Sequence, residues 1–349
     1  MKNIQFYKSN YTKYLILIII FTLSFFLRYH DLMRGSLFMD EMDTFFISNP
    51  NLSFYETFQR NLQIDQYNFY QYLYKYFFLI FGYNDYNARL FTCIIGSIVT
   101  LAVYIFYKKH ISENNKFLLA ILLIFNIFLI DYSQEVRAPI FYCLFVIINI
   151  YYFLNTLENK NFINIFLYII SGVVSLIIMN FSIIVIFSQF IFIFFFKRKY
   201  LMHFIFYFSM IGLFFLILNF PHIQKQFLLV TNPNFNVGAI ASLNLSTFYD
   251  LFFRYFFGSR ISGLIVLVFL IYLLIINIFI RKNQINENVY FLLILLFFTY
   301  FIPTLFSLII TPLLLPRYII YIVPIILIII SYLSNKEDKI TYSLFIIIF

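Results

Sequence analysis

Charge in this chain is confined to narrow bands between long apolar runs. Lys and Arg number 24 and Asp and Glu 15 among 349 residues, and the Ile-, Leu-, Phe- and Tyr-rich stretches between them recur about ten times. Roughly 20 apolar residues at about 1.5 Å rise cross the hydrocarbon core of a bilayer, so a window of about 18 uncharged residues reads as a membrane span. Ten such windows leave no room for an ordinary soluble domain. The chain is expected to be an all-α polytopic membrane protein, with its chemistry at the span ends and in the longer loops.

Hydropathy places spans at 14–30, 88–107, 117–130, 138–155, 162–179, 181–196, 202–220, 261–280, 289–310 and 318–333. An eleventh run, 340–349, is too short to cross alone, so the chain is expected to end partway through a span. Residues 1–349 then form a single transmembrane domain with a first outer loop at 31–87 and a second at 221–260. The first apolar run follows Lys2, Lys8 and Lys13 and carries no small-residue cleavage site, which predicts a retained span rather than a signal peptide. Cys93 and Cys143 both fall inside spans and the few His do not cluster. Neither a disulfide nor a metal site is expected.

Orientation follows from the connections. The N-terminus and the connections 108–116, 156–161, 197–201, 281–288 and 334–339 hold 14 Lys or Arg and 5 Asp or Glu. The opposite connections, Arg28 included, hold 10 of each sign. Basic bias marks the cytoplasmic side, so the N-terminus is expected in the cytoplasm and both long loops outside. The formal net charge of +9 lies wholly on that basic rim, where anionic lipid headgroups account for it, and nucleic acid is not needed as a partner.

The outer segments carry the informative residues. Asp40 and Glu41 follow Leu37-Phe38-Met39, with Asp43 close behind. Three carboxylates so near one another repel, which is tolerated in open water or beside cationic partners. They read either as a solvated acidic loop or as an acid–base group at the membrane surface. The aromatic stretch 69–81, interrupted by Gln71 and Lys75, predicts a helix at headgroup level. Asp131, Gln134, Glu135 and Arg137 crowd the short connection between the third and fourth spans, with Pro139 ready to start a helix. Charge packed this densely beside a span marks a functional site by default, although an internal ion pair anchoring the helix ends would also explain it. Asn180, between two spans, reads first as a helix cap. The stretch 248–257 predicts a second interface helix bearing Arg254. Arg89 opens the second span, and Arg317, followed by Tyr318, opens a late one after Pro312 and Pro316. A guanidinium so placed can snorkel to a phosphate, whose oxygens fit its planar fork.

With these residues in view, the chain resembles the GT-C fold glycosyltransferases, and within them the bacterial glycosyltransferase family 39 group. Relatives in that group include protein O-mannosyltransferases and the lipid A aminoarabinose transferase. Phe38-Met39-Asp40-Glu41 is similar to the family's acidic first-loop motif. Phe81 to Leu90, followed by Gly96, resembles its Gly-to-Arg-Leu approach to the second span. Tyr132-Ser133-Gln134-Glu135-Val136-Arg137 is the most specific match, resembling a Ser-Gln-Glu-Ala-Arg turn. Leu315-Pro316-Arg317-Tyr318 resembles the family's late Arg-Tyr. The sequence departs from the pattern at Gln66 to Tyr70, where relatives often have Pro-Pro-Leu, and at Asn180, where they often have His. Both departures leave the donor sugar and the acceptor open. Many relatives also continue through more spans, so this chain is either a short member or a truncated one.

The resemblance implies a GT-C fold of about 10–11 transmembrane helices with interfacial helices in the first outer loop. It implies a polyprenyl-phosphate-linked sugar as donor, a lipid, glycan or protein hydroxyl as acceptor, and inversion at the anomeric carbon. Asp40 falls at the family's catalytic position and is assigned as general base, with Glu41 holding it, binding sugar or meeting an Arg. Arg137 and Arg317 are assigned as phosphate clamps, with Arg89, Gln134, Glu135, Asn180 and Tyr318 completing the substrate site. No cofactor or metal is assigned. The expected place is the bacterial cytoplasmic membrane, with the site facing outward among membrane lipids. A transporter or flippase would put polar groups at mid-span, where these spans are nearly free of ionisable residues. A polysaccharide polymerase or ligase would put its signals in a large late loop rather than the first.

Overall fold

The computed structural model describes residues 2–33, 35–64, 69–107, 111, 113–230, 250, 255–280, 286–309 and 314–334. The expected span 340–349, Arg254 and Pro312 lie outside the described residues, as does most of the second outer loop. The described elements are helical. α1 (Lys2–Tyr29) is followed by three helices of the first loop, α2 (Met39–Ile47), α3 (Phe54–Ile64) and α4 (Phe69–Phe81). Then come α5 (Asp85–Tyr107), α6 (Glu113–Phe125), α7 (Ile127–Tyr132), α8 (Pro139–Glu158), α9 (Phe162–Ile178), α10 (Ser182–Phe196) and α11 (Leu201–Val230). After a short helical turn at Tyr255–Phe257, the last described helices are α12 (Arg260–Ile275), α13 (Glu287–Ile309) and α14 (Ile322–Leu333). Among the described residues, six helices are long and apolar enough to cross a membrane, and four shorter apolar ones accompany them. The protein is a multi-pass membrane protein.

Local chemistry sets several boundaries. Ser53 and Glu56 form a reciprocal capping box at the start of α3: Ser53 N donates to Glu56 Oε2 at 2.6 Å and Glu56 N to Ser53 Oγ at 3.1 Å. Pro139 stands at the first turn of α8, where its missing N–H costs nothing. The expected continuous span 117–130 is broken at Asn126. Its side-chain oxygen accepts from Leu129 N at 2.9 Å and caps α7, while its amide donates to Phe256 O at 3.0 Å. The second loop also begins later than expected, because α11 runs through Pro221 to Val230. Beyond the proline, the His222 ring meets Phe58 edge-on at 5.7 Å and Lys225 Nζ donates to the Gln63 carbonyl at 3.0 Å, so α3 holds the extension. The stretch 69–81 is a helix, but Gln71 and Lys75 are buried rather than turned to headgroups.

The bundle centres on α8, which packs against α5 and α9, and on α14, which packs against α6 and α13. Residues Ile322 to Ile330 of α14 are almost wholly buried, whereas α1 exposes Tyr14, Leu15, Ile18 and Phe26. The connections sort to two ends. At one, Lys197 pairs with Glu287 and the Asn115 amide donates to Ser331 O at 3.0 Å. At the other gather the C-terminus of α1, α2, the α7–α8 turn and the turn before α14, and there the candidate site lies.

Candidate active site

The site is built on the N-terminus of α2. Phe38 is its N-cap, and Glu41 reaches back so that its Oε2 accepts from Phe38 N at 2.9 Å. Asp40 and Glu41 thus occupy the first helical turn, where the dipole favours a carboxylate. The two neighbours then diverge. Glu41 is buried, and its Oε1 accepts from Val136 N at 2.7 Å, while Arg89 Nη2 lies 3.7 Å from Oε2. Asp40 points outward with about half its side chain exposed.

Arg89, near the start of α5, is buried. Beyond Glu41 it donates to two first-loop carbonyls, Leu32 O at 2.8 Å and Ser36 O at 3.1 Å. The α7–α8 turn stands opposite. Gln134 Nε2 donates to the carbonyls of Arg28 and His30, both at 2.8 Å, and so ties the turn to the end of α1. Arg137 Nη2 donates to Asp40 Oδ2, and its Nη1 lies 3.6 Å from Glu135 Oε2. Burial pushes the Glu135 carboxyl above its ordinary range, and the Arg137 charge offsets only part of that rise.

Arg317 comes from the 3-10 turn Pro316–Ile319, and its Nη1 lies 3.5 Å from the same Asp40 Oδ2. Its guanidinium sits over the Tyr318 ring at 5.2 Å, and that ring stacks on Phe181 at 4.7 Å. Asn180, next to Phe181, accepts from Ile183 N at 3.0 Å through its main-chain carbonyl, in the turn between α9 and α10. Two guanidiniums from distant parts of the chain therefore meet one carboxylate oxygen. Both are partly exposed, at 23% and 30% of their side chains. Arginines held in this way can exchange a carboxylate for a phosphate, whose oxygens accept the same forked donors.

The structure thus separates the sequence-assigned residues into two sets. Asp40, Arg137, Arg317 and Tyr318 form one partly exposed cluster, the mouth of the site, with Glu135 beside them. Glu41, Arg89 and Gln134 make their hydrogen bonds to main-chain groups, and Glu41 faces Arg89. Among the described residues no three His, Cys, Asp or Glu side chains gather as metal ligands. By sequence Arg28 counts with the charges of the outer connections, yet its guanidinium is fully buried and donates to Ser133 Oγ at 3.1 Å. Its signal was present in the sequence, as a lone charge at the end of an apolar run.

Residues 68–224, a little under half of the chain, match the family described as dolichyl-phosphate-mannose-protein mannosyltransferase. No curated protein sequence matches the chain. Among solved structures, the chain is similar to ArnT from Cupriavidus metallidurans bound to undecaprenyl phosphate, with a TM-score of 0.65 and 11% identity. The chain has the GT-C fold. The match covers 96% of this chain but 62% of ArnT, so the chain spans less than two thirds of that protein's length. The family match contains Arg89, Gln134, Glu135, Arg137 and Asn180, while Asp40 and Arg317 lie outside it and are joined to it by the ion pairs of the fold.

Proposed function

We propose that this protein is a membrane glycosyltransferase that moves a sugar from a polyprenyl-phosphate-linked donor to an acceptor hydroxyl at the outer face of the bacterial cytoplasmic membrane. The observation that carries the proposal is the meeting of Arg137 and Arg317 at one oxygen of Asp40. The GT-C fold, shared with a protein bound to undecaprenyl phosphate, supports it.

In this reading the donor phosphate takes the two guanidiniums, which leaves the Asp40 carboxylate facing the acceptor. Asp40 accepts the hydroxyl proton, for which a base must lie within about 2.6–3.2 Å. The acceptor oxygen bonds to the anomeric carbon, the bond from that carbon to the phosphate oxygen breaks, and the polyprenyl phosphate departs with the electron pair. Arg137 and Arg317 stabilise the charge that develops on the leaving phosphate, so the leaving group needs no proton. A single displacement inverts the anomeric centre. Glu41 and Arg89 keep α2 in register, and Tyr318 backs Arg317.

The test is transfer by the purified protein in proteoliposomes supplied with polyprenyl-phosphate pentoses and hexoses, paired with the glycan and glycolipid profile of the host with and without the gene. Donor turnover and loss of one glycosylated product are expected. No turnover together with an unchanged profile would contradict the proposal. Tags in 108–116 and 197–201 should report cytoplasm and tags in 31–87 the opposite side. Access to 131–137 from the cytoplasm would remove the outward site.

A further inference from the structure

Arg28 lies in the last turn of α1, and its fully buried guanidinium lies inside a bundle where an ionised group is costly. Every bond described for it ends on a neutral oxygen. Nε donates to Ser133 Oγ at 3.1 Å, Nη1 to Ser24 O and Oγ at 3.1 and 2.6 Å, and Nη2 to Thr100 Oγ1 and Leu123 O at 3.2 and 3.4 Å. Ser24 O and Leu123 O lie near the C-terminal ends of α1 and α6, and Ser133 is the C-cap of α7. Oxygens from the C-terminal parts of three helices, two of them main-chain carbonyls and one the Ser133 hydroxyl, thus meet at one guanidinium.

The same arrangement seats the α7–α8 turn. On α5, a Cβ at Gly96 would lie 2.0 Å from Ser133 Oγ and 3.2 Å from Arg28 Nε, so the glycine is what lets Ser133 and Arg28 meet there. Gln134 adds its bonds to the Arg28 and His30 carbonyls, and Cys93 Sγ donates to Arg28 O at 3.1 Å. Three residues past Ser133, Val136 N holds Glu41, and the next residue, Arg137, meets Asp40. We infer that Arg28 is a positioning residue for sugar transfer, acting through Ser133 to set the turn that places Arg137 and, through Val136 and Glu41, Asp40. The inference rests on the transferase reading above, in which Arg28 itself touches no substrate.

The test compares Arg28→Gln, Arg28→Lys and Ser133→Ala in the full-length protein. Misplacement by about 1 Å can cost about 10²-fold in rate. A fall of that order in kcat per folded molecule is expected for Arg28→Gln, with a smaller fall for Ser133→Ala and the acceptor KM nearly unchanged. The double variant Arg28→Gln with Ser133→Ala should lose no more than Arg28→Gln alone, since both cut one connection. Arg28→Lys should restore folding but not the full rate, because an ammonium lacks the planar fork. Ser133→Ala leaves the Arg28 bonds to Ser24, Thr100 and Leu123, so it tests the connection even where Arg28→Gln fails to fold. Hydrogen exchange needs no substrate: faster exchange at 133–137, with the α8 core unchanged, is expected in Arg28→Lys and Ser133→Ala. Wild-type kcat per folded molecule, or unchanged exchange at 133–137, overturns the inference. A wild-type protein inactive with every donor would instead count against the transferase reading, while hydrogen exchange would still decide whether Arg28 seats the turn.

Discussion

Asp40 and Glu41 share one helical turn but inhabit different regions of the molecule. Glu41 is 2% exposed and meets two main-chain amides and Arg89. Asp40 is 53% exposed and meets two arginines that are themselves reachable. The lower region is a closed set of partners in which each removal strands a buried group. The mouth is an open set whose partners can be exchanged for those of a ligand. A carboxylate meant to take a proton belongs in the second region, and one meant to hold backbone belongs in the first.

Variants should therefore fail in different currencies, and the largest effects should fall on rate at the mouth. Asp40→Asn removes the proton acceptor while keeping the shape, and transfer from purified donor should slow by about 10²–10⁴-fold. Arg137→Ala and Arg317→Ala should each cost about 10²–10³-fold in kcat. The Lys variants should recover part of the loss, since they keep the charge and lose the fork. Arg317 has the Asp40 contact and the Tyr318 ring, whereas Arg137 also lies near Glu135, so Arg317→Ala is expected to be the more damaging of the two.

Beneath the mouth the loss should appear as stability. Glu41→Ala leaves the Phe38 and Val136 amides without their acceptor and removes the carboxylate facing buried Arg89, at about 1–3 kcal/mol for each group left unsatisfied. Thermal unfolding in detergent should show it, with Glu41→Gln milder because an acceptor remains. Equal thermal stability of Glu41→Ala and Asp40→Ala would erase the distinction between the two regions.

The smallest effect concerns Glu135. Burial raises its carboxyl pKa in the folded protein, so its contribution to stability is fully present below the unfolded value of about 4.3 and is lost as pH rises through the raised folded value. Glu135→Gln cannot ionise and should gain stability relative to wild type as pH rises across that window. Melting curves taken at a series of pH values would show it, and a constant difference at all pH values would contradict the assignment.

Much of this fold is legible in the sequence because lipid imposes one rule, long apolar runs bounded by charge, and most span boundaries obey it within a few residues. The failures occur where side chains bond outside their own element. Asn126 breaks a span because its amide finds Phe256 and its oxygen caps α7, and hydropathy does not register such bonds. Pro221 stands at the expected start of the second loop, but contacts between α11 and α3 carry the helix past it. At the site, residue type and position relative to the membrane drew attention to Asp40, Arg137 and Arg317. They could not tell Glu41 from Asp40, because the difference lies in which way each side chain of one turn faces. Arg28 stands out as a lone charge at the end of an apolar run, but its role does not, because its partners are serine, threonine and main-chain oxygens.

The central claim is that Asp40 acts on the proton while Arg137 and Arg317 act on the phosphate. Titrating purified wild type, Asp40→Asn, Arg137→Ala and Arg317→Ala with undecaprenyl phosphate tests it directly, without any acceptor. Losing a charge-assisted bond worth about 1.5–3 kcal/mol should weaken binding by roughly tenfold or more in both arginine variants. Asp40→Asn should bind as tightly as wild type or tighter, since the phosphate no longer competes with a carboxylate for the two guanidiniums. If Asp40→Asn instead loses affinity as the arginine variants do, Asp40 is part of the phosphate site and the division of labour proposed for this mouth is wrong.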